Sequence, residues 1–148
     1  HEVQFVFTVQ EEVGTRGAAT AAYGLDPEVA LSVDVTATGD TPKGLRMSVG
    51  LGDGAAIKVR DGGMISDPRL VTLLEQRAVE GKIKAQREVL EGGTTDARAI
   101  QISRAGVPSG CISIPCRYVH SPSEMVDMRD VQAAVSLLTY TLERTIDL

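Results

Sequence analysis

The stretch Val3-Gln4-Phe5-Val6-Phe7-Thr8-Val9-Gln10-Glu11-Glu12-Val13-Gly14 decides how the rest of the chain is read. Val3 to Val9 is dense in apolar and β-branched side chains, the pattern of a buried strand. Two adjacent carboxylates follow where that run gives way to Gly14. Burying two ionised carboxylates side by side is costly unless cations compensate them. Neighbouring side chains of an extended segment point opposite ways. One carboxylate can therefore hold a metal ion while the other faces a different group, such as a water on that ion. A strand ending at a solvated acidic turn also accounts for these residues, so the remainder of the sequence has to decide between the two readings.

Downstream, strand patterns alternate with helix patterns. The Ala-rich segment from Gly14 to Tyr23 predicts a helix stopped at Gly24. Val29 to Val35 predicts a second, largely buried strand with Asp34 near its end. A long irregular stretch, 36–54, carries five glycines, and a connection of that length commonly lies over a functional site. Ala55 to Arg60 alternates, with Lys58 and Arg60 expected on a solvated face. Asp67-Pro68 supplies an N-cap and first helical residue for a helix to about Glu80, burying Leu70, Val71, Leu74 and Ala78. Lys84 to Leu90 predicts a strand near a sheet edge. Gly92-Gly93-Thr94-Thr95-Asp96 turns into a short helix, and Val107 to Pro115 is again strand-like. The last helix starts near Asp127 with Asp130 as a capping-box partner, and places Val131, Ala134, Val135, Leu138, Leu142 and Ile146 on one face. The predicted fold class is α/β, a three-layer α/β/α sandwich with a mostly parallel sheet.

Bulk properties narrow the function. With 148 residues, 43% hydrophobic and 24% charged, the chain can build one domain with a core. Its net charge of -5 and lack of a basic block argue against a nucleic-acid partner. No run approaches the ~20 apolar residues of a membrane helix, so no membrane association is expected. Cys111 and Cys116 stand five apart, on opposite faces of a strand, and predict two packed thiols rather than a disulfide. A reducing, cytoplasmic compartment is the expectation.

In parallel α/β sheets ligands bind beyond the carboxyl ends of the strands. Glu11 and Glu12 follow the first predicted strand, Asp34 closes the second, and His120 follows the strand from Val107. Carboxylates with one imidazole suit zinc, cobalt or manganese. Each also has a plain reading: Asp34 as a strand-end residue, His120 as a surface histidine before a Ser-Pro turn, and the Gly-Gly-Thr-Thr-Asp turn as a helix cap.

Several ordered motifs then carry a resemblance. Val9-Gln-Glu-Glu-Val-Gly14, Val33-Asp-Val-Thr36 with Gly39-Asp-Thr-Pro42, Ile57-Lys-Val-Arg-Asp-Gly62, Gly92-Gly-Thr-Thr-Asp-Ala97 and Arg117-Tyr-Val-His-Ser-Pro-Ser-Glu-Met125 run over nearly the whole chain. Together they resemble the dinuclear metallo-aminopeptidases of the glutamyl aminopeptidase and tetrahedral (TET) type, some of which carry an endoglucanase label. The resemblance implies Glu11 as general base, Glu12 and His120 as ligands of one metal, and Asp34 as a ligand of the other. It implies two zinc or cobalt ions, peptide substrates and a homo-oligomer, a dodecamer in the full-length family. It further implies that residues 1–148 are the carboxyl-terminal portion of the catalytic domain, because the family's upstream histidine, its bridging aspartate and its dimerisation domain have no counterpart here. His1 falls at the wrong end of the first predicted strand for the site. The expectation is weak metal binding and little or no peptidase activity for this chain alone. A non-catalytic scaffold subunit of the same fold is the alternative. Adjacent Glu11 and Glu12 facing apart are a poor match for the ~5–9 Å carboxylate pair of a glycosidase.

Overall fold

A computed structural model of the chain describes residues 2–148; His1 lies outside the described residues. The elements are α1 (Arg16–Leu25), β1 (Ala30–Thr36), β2 (Ala55–Arg60), α2 (Pro68–Glu80), β3 (Ala85–Val89), α3 (Ala97–Gln101), β4 (Ser109–Arg117), β5 (Met125–Val126) and α4 (Met128–Leu142). The strands lie in the order β1-β4-β2-β3, with β5 added to the end of β4. β1 runs parallel to β4, and β2 parallel to β3. The two pairs meet antiparallel, through Ala56 opposite Ser113 and Ile57 opposite Ile112. The sheet is therefore mixed: an α/β fold in which the parallel direction holds within each pair and reverses between them.

The main core lies on the face covered by α2 and α4. Ile57 and Ile112 pack there against Val71 and Leu74 of α2 and Ala133, Ala134 and Leu137 of α4. α2 begins as its sequence predicts. Asp67 accepts a hydrogen bond from Arg69 N–H, Pro68 occupies the first turn, and Leu70, Val71, Leu74 and Ala78 are buried. α4 begins at Asp127 as expected, but its buried stripe is Asp130, Ala133, Ala134, Leu137 and Thr141, and Val135 is exposed. Asp130 rotates that stripe. Instead of closing a capping box, its carboxylate turns inward and accepts from Gly52 N–H at 2.7 Å and Gly54 N–H at 2.8 Å, anchoring the end of the 36–54 segment.

Three other expectations are corrected. Val3 to Val9 forms no strand, and Phe5, Phe7 and Val9 are exposed. A strand needs a neighbour to hydrogen-bond, and this run has no ladder partner among the described residues. β1 is an edge strand rather than a largely buried one: Ser32 and Thr36 face inward, while Val33 and Val35 on the other face are open to solvent. Lys58 is not on a solvated face. It is 1% exposed and paired with Glu88. The side of the sheet that carries Lys58 faces the second, polar half of the interior, where a long stem can be buried only if its ammonium finds carboxylates.

Candidate functional site

Glu11 and Glu12 sit in a tight turn leading into α1, not at a strand end. The carbonyl of Glu11 accepts from Gly14 N–H at 3.1 Å and Thr15 N–H at 2.9 Å. Gly14 has φ +116, a backbone conformation that a side chain disfavours, so the glycine after the Glu pair sets the turn. Val9 is pinned to the start of α1, where Gly17 N–H donates to its carbonyl at 3.0 Å. A Cβ at Gly17 would lie 2.5 Å from that oxygen. Two glycines thus fix where the carboxylates project.

Asp34 lies two residues before the end of β1, on the same side of the strand as buried Ser32 and Thr36. Its Oδ1 accepts from Val35 N–H at 2.7 Å. His120 follows β4 in a turn closed by Ser121 N–H to the carbonyl of Tyr118 at 3.1 Å. The carboxylate of Glu124 accepts from His120 N–H at 2.7 Å and holds that turn. The imidazole Nε2 of His120 comes to 3.4 Å from Glu12 Oε2. Residues from opposite ends of the chain therefore meet at one rim of the sheet.

The electrostatics place the remaining members. Burial raises the pKa of Glu11, and the charges of Asp34, Glu12 and Asp96 raise it further, against the opposing effect of His120. Burial likewise raises Asp34; the Val35 N–H and the charge of Lys58 pull it down, and Asp96 and Glu12 push it up. The carboxylates of Glu11, Glu12, Asp34 and Asp96 therefore lie near enough to feel one another's charge, and His120 opposes the rise at Glu11. Asp96, at the start of α3, was absent from the expected site. Its Oδ2 accepts from Thr8 Oγ1 at 2.5 Å, while its buried Oδ1 has no hydrogen-bond partner. The signal that could have found it is the Gly-Gly-Thr-Thr-Asp turn, which reads from sequence as a cap; yet the Asp96 side chain makes no cap hydrogen bond.

The donors suit a divalent cation. Mutually repelling carboxylates and an orphaned Asp96 oxygen are stabilised by nearby positive charge, and a neutral imidazole can offer a cation its lone pair. Glu12 and His120 stand as a ready pair. Among the described residues, no set of three or more His, Cys, Asp or Glu side chains closes to coordinating positions. Cys111 and Cys116 are both buried and free, which removes them as thiolate ligands; burial holds the Cys111 thiol up at about 11.

Comparison with known proteins sharpens the assignment. The family model described as M42 glutamyl aminopeptidase matches residues 1–137. A provisionally named aminopeptidase of Acetivibrio thermocellus is 52% identical over 138 residues, covering 93% of this chain and 42% of its own length. An aminopeptidase of the archaeon Desulfurococcus kamchatkensis superposes with a TM-score of 0.85 at 47% identity, over 91% of this chain and 39% of its own. A Pyrococcus horikoshii TET1 peptidase, described as assembling into a tetrahedron or a large octahedral shell, superposes at 0.78 and 33% identity over 90% of this chain and 38% of its own. The chain thus spans about two fifths of the length of the curated relatives it matches. The match over nearly its whole length establishes that the chain belongs to the M42 glutamyl aminopeptidase family.

Proposed function

We propose that this chain is the part of a metal-dependent aminopeptidase that carries the general base, Glu11, and three cation ligands, Glu12, Asp34 and His120. The observation that carries this reading is the approach of His120 Nε2 to Glu12 Oε2 at 3.4 Å, beside Glu11 and Asp34 whose carboxyls are both raised. The remaining ligands of a two-ion zinc or cobalt centre come from outside these residues. The chain corresponds to the carboxyl-terminal portion of the catalytic domain, and alone it binds metal weakly and hydrolyses little or nothing. Peptides with a free α-amine are the substrates. The TET1 assembly supports a homo-oligomer, and the two free buried cysteines suit a cytoplasmic setting.

Each residue has a task that its surroundings support. Bound cations would supply Lewis acidity there, lowering the pKa of nearby water towards neutrality. Glu12 and His120 would hold one cation and Asp34 the other. Among the described residues Glu11 makes no salt bridge, and burial with the neighbouring carboxylates raises its pKa. It takes the proton of the attacking water and returns it to the departing amine, a role worth roughly 10²–10⁴-fold.

The test is a chimera in which this chain replaces the matching segment of the Desulfurococcus kamchatkensis aminopeptidase. The chimera is expected to hydrolyse aminoacyl anilides in the presence of Co²⁺ and to leave cellulose untouched. Glu11→Gln in the same chimera should lose at least about 10²-fold in kcat. A folded chimera without anilide hydrolysis, or one indifferent to Glu11→Gln, overturns the reading.

A further inference from the structure

Below the acidic rim lies a buried polar chain that the proposed chemistry does not use. Lys58 Nζ donates to Glu88 Oε1 at 2.5 Å and lies 3.6 Å from Asp61 Oδ2. Lys58 and Glu88 are 1% and 0% exposed, so neither charge is there for solubility. The same Glu88 Oε1 accepts from Thr36 Oγ1 at 2.7 Å, and Thr36 lies two residues beyond Asp34 on the same side of β1. At the other end, Asp61 Oδ1 accepts from Gly63 N–H at 2.8 Å and Thr94 Oγ1 at 3.1 Å. Gly62 N–H donates to the carbonyl of Gly93 at 3.0 Å. Thr94 lies two residues before Asp96, in the turn that delivers Asp96 to the site. One unbroken series of contacts, Thr36–Glu88–Lys58–Asp61–Thr94, therefore ties the segment that carries Asp34 to the turn that carries Asp96.

Stability alone is a poor explanation for it. Replacing a buried ion pair by apolar side chains is often neutral or stabilising. Here one ammonium faces two carboxylates, and Glu88 Oε2 and Asp61 Oδ2 are buried with no hydrogen-bond partner. An apolar core would be free of those orphans. Burial works against the charge of Lys58 itself, and Glu88 with Asp61 outweigh that, so the ammonium stays protonated.

We propose that Lys58 is a positioning residue for the cation site: through Glu88 and Asp61 it fixes the spacing between Asp34 and Asp96, and so the geometry offered to a divalent cation. This rests on the metal reading above and adds to it a residue that touches neither substrate nor cation. Outer partners of metal ligands commonly change metal affinity by 10–100-fold.

The test titrates the chain with Co²⁺, reading affinity by calorimetry and ligand geometry by visible absorption, with thermal unfolding as a control. Lys58→Met is expected to weaken Co²⁺ about 10–100-fold and to alter the absorption band. Because that variant leaves two carboxylates facing no ammonium, Thr36→Val and Thr94→Val are measured beside it. These remove only the terminal hydroxyls of the series. Each should weaken Co²⁺ severalfold at an unfolding midpoint close to the parent's, a pattern that a purely structural role would not give. If the parent binds Co²⁺ and both threonine variants match it in affinity and spectrum, the positioning role is overturned even where Lys58→Met fails to fold. If the parent binds no Co²⁺ at all, the metal reading fails first and this proposal with it.

Discussion

His120 Nε2 stands 3.4 Å from Glu12 Oε2, and both side chains remain open, at 74% and 75% exposure. A polar contact so exposed is typically worth about 0–1 kcal/mol even when both partners are charged. Stability therefore does not explain why the chain brings these residues together. His120→Ala should leave the thermal unfolding midpoint within about 2 °C of the parent while lowering Co²⁺ affinity at least tenfold. Differential scanning calorimetry and Co²⁺ titration check both halves. A large loss of stability with unchanged metal affinity would make the pair structural.

Asp130 makes the opposite prediction. It is fully buried and accepts from the N–H groups of Gly52 and Gly54. Asp130→Ala strands the buried Gly54 donor and the partly buried Gly52 donor, at about 1–3 kcal/mol for a fully buried unsatisfied group. Urea unfolding should show that loss with the slope of the transition unchanged. Activity of the chimera should fall only through the folded fraction, because Asp130 anchors the 36–54 segment and lies outside the acidic cluster.

The alkaline limit of stability follows from two buried groups. Burial raises the Cys111 thiol from 9.0 to about 11, and the Glu88 carboxylate raises Lys58 against the effect of its burial. For a group raised on folding, the stabilisation is present below the unfolded pKa and disappears as pH climbs through the folded one. The unfolding midpoint should therefore fall between about pH 9 and pH 11. Cys111→Ala should make that fall shallower. A midpoint that holds level across this window contradicts the assignment. In the folded chain at pH 8, neither buried thiol should react with a disulfide reagent.

The opening stretch is the plainest divergence between sequence and structure, and it is testable. Phe5 and Phe7 are 72% and 95% exposed. Phe5→Ser with Phe7→Ser should change stability by no more than about 0.5 kcal/mol per site and should reduce binding of a hydrophobic dye. A loss of several kcal/mol would mean that both rings are packed.

What the sequence made legible was whatever depends on local chemistry. Asp67-Pro68 sets the start of α2, Asp127 sets the start of α4, and the period of Leu70, Val71, Leu74 and Ala78 gives the buried face. What it hid depends on neighbours. An apolar, β-branched run looks like a strand whether or not another strand lies beside it, so Val3 to Val9 was misleading. Alternation placed Lys58 opposite Ile57 but could not say that Glu88 would wait on that side. Asp130 carried a local capping pattern, and the backbone donors of Gly52 and Gly54 outcompeted it. Within the candidate site, the meeting of Glu12 with His120 was expected, whereas Asp96 was hidden in a turn whose glycines drew attention to the backbone.

The central claim is a division of labour between neighbours: Glu12 holds a cation and Glu11 does not. The most direct measurement is Co²⁺ titration of the chain and of Glu11→Gln, Glu12→Gln, Asp34→Asn and His120→Ala, followed by thermal unfolding with saturating Co²⁺ and after chelation. A cation at 100 times its Kd adds about 2.7 kcal/mol of stability, or roughly 5–10 °C for a chain of this size. The account predicts that the parent and Glu11→Gln share this rise and lose it on chelation, while Glu12→Gln, Asp34→Asn and His120→Ala show little of it. A Glu11→Gln that loses the cation while Glu12→Gln keeps it would contradict the account.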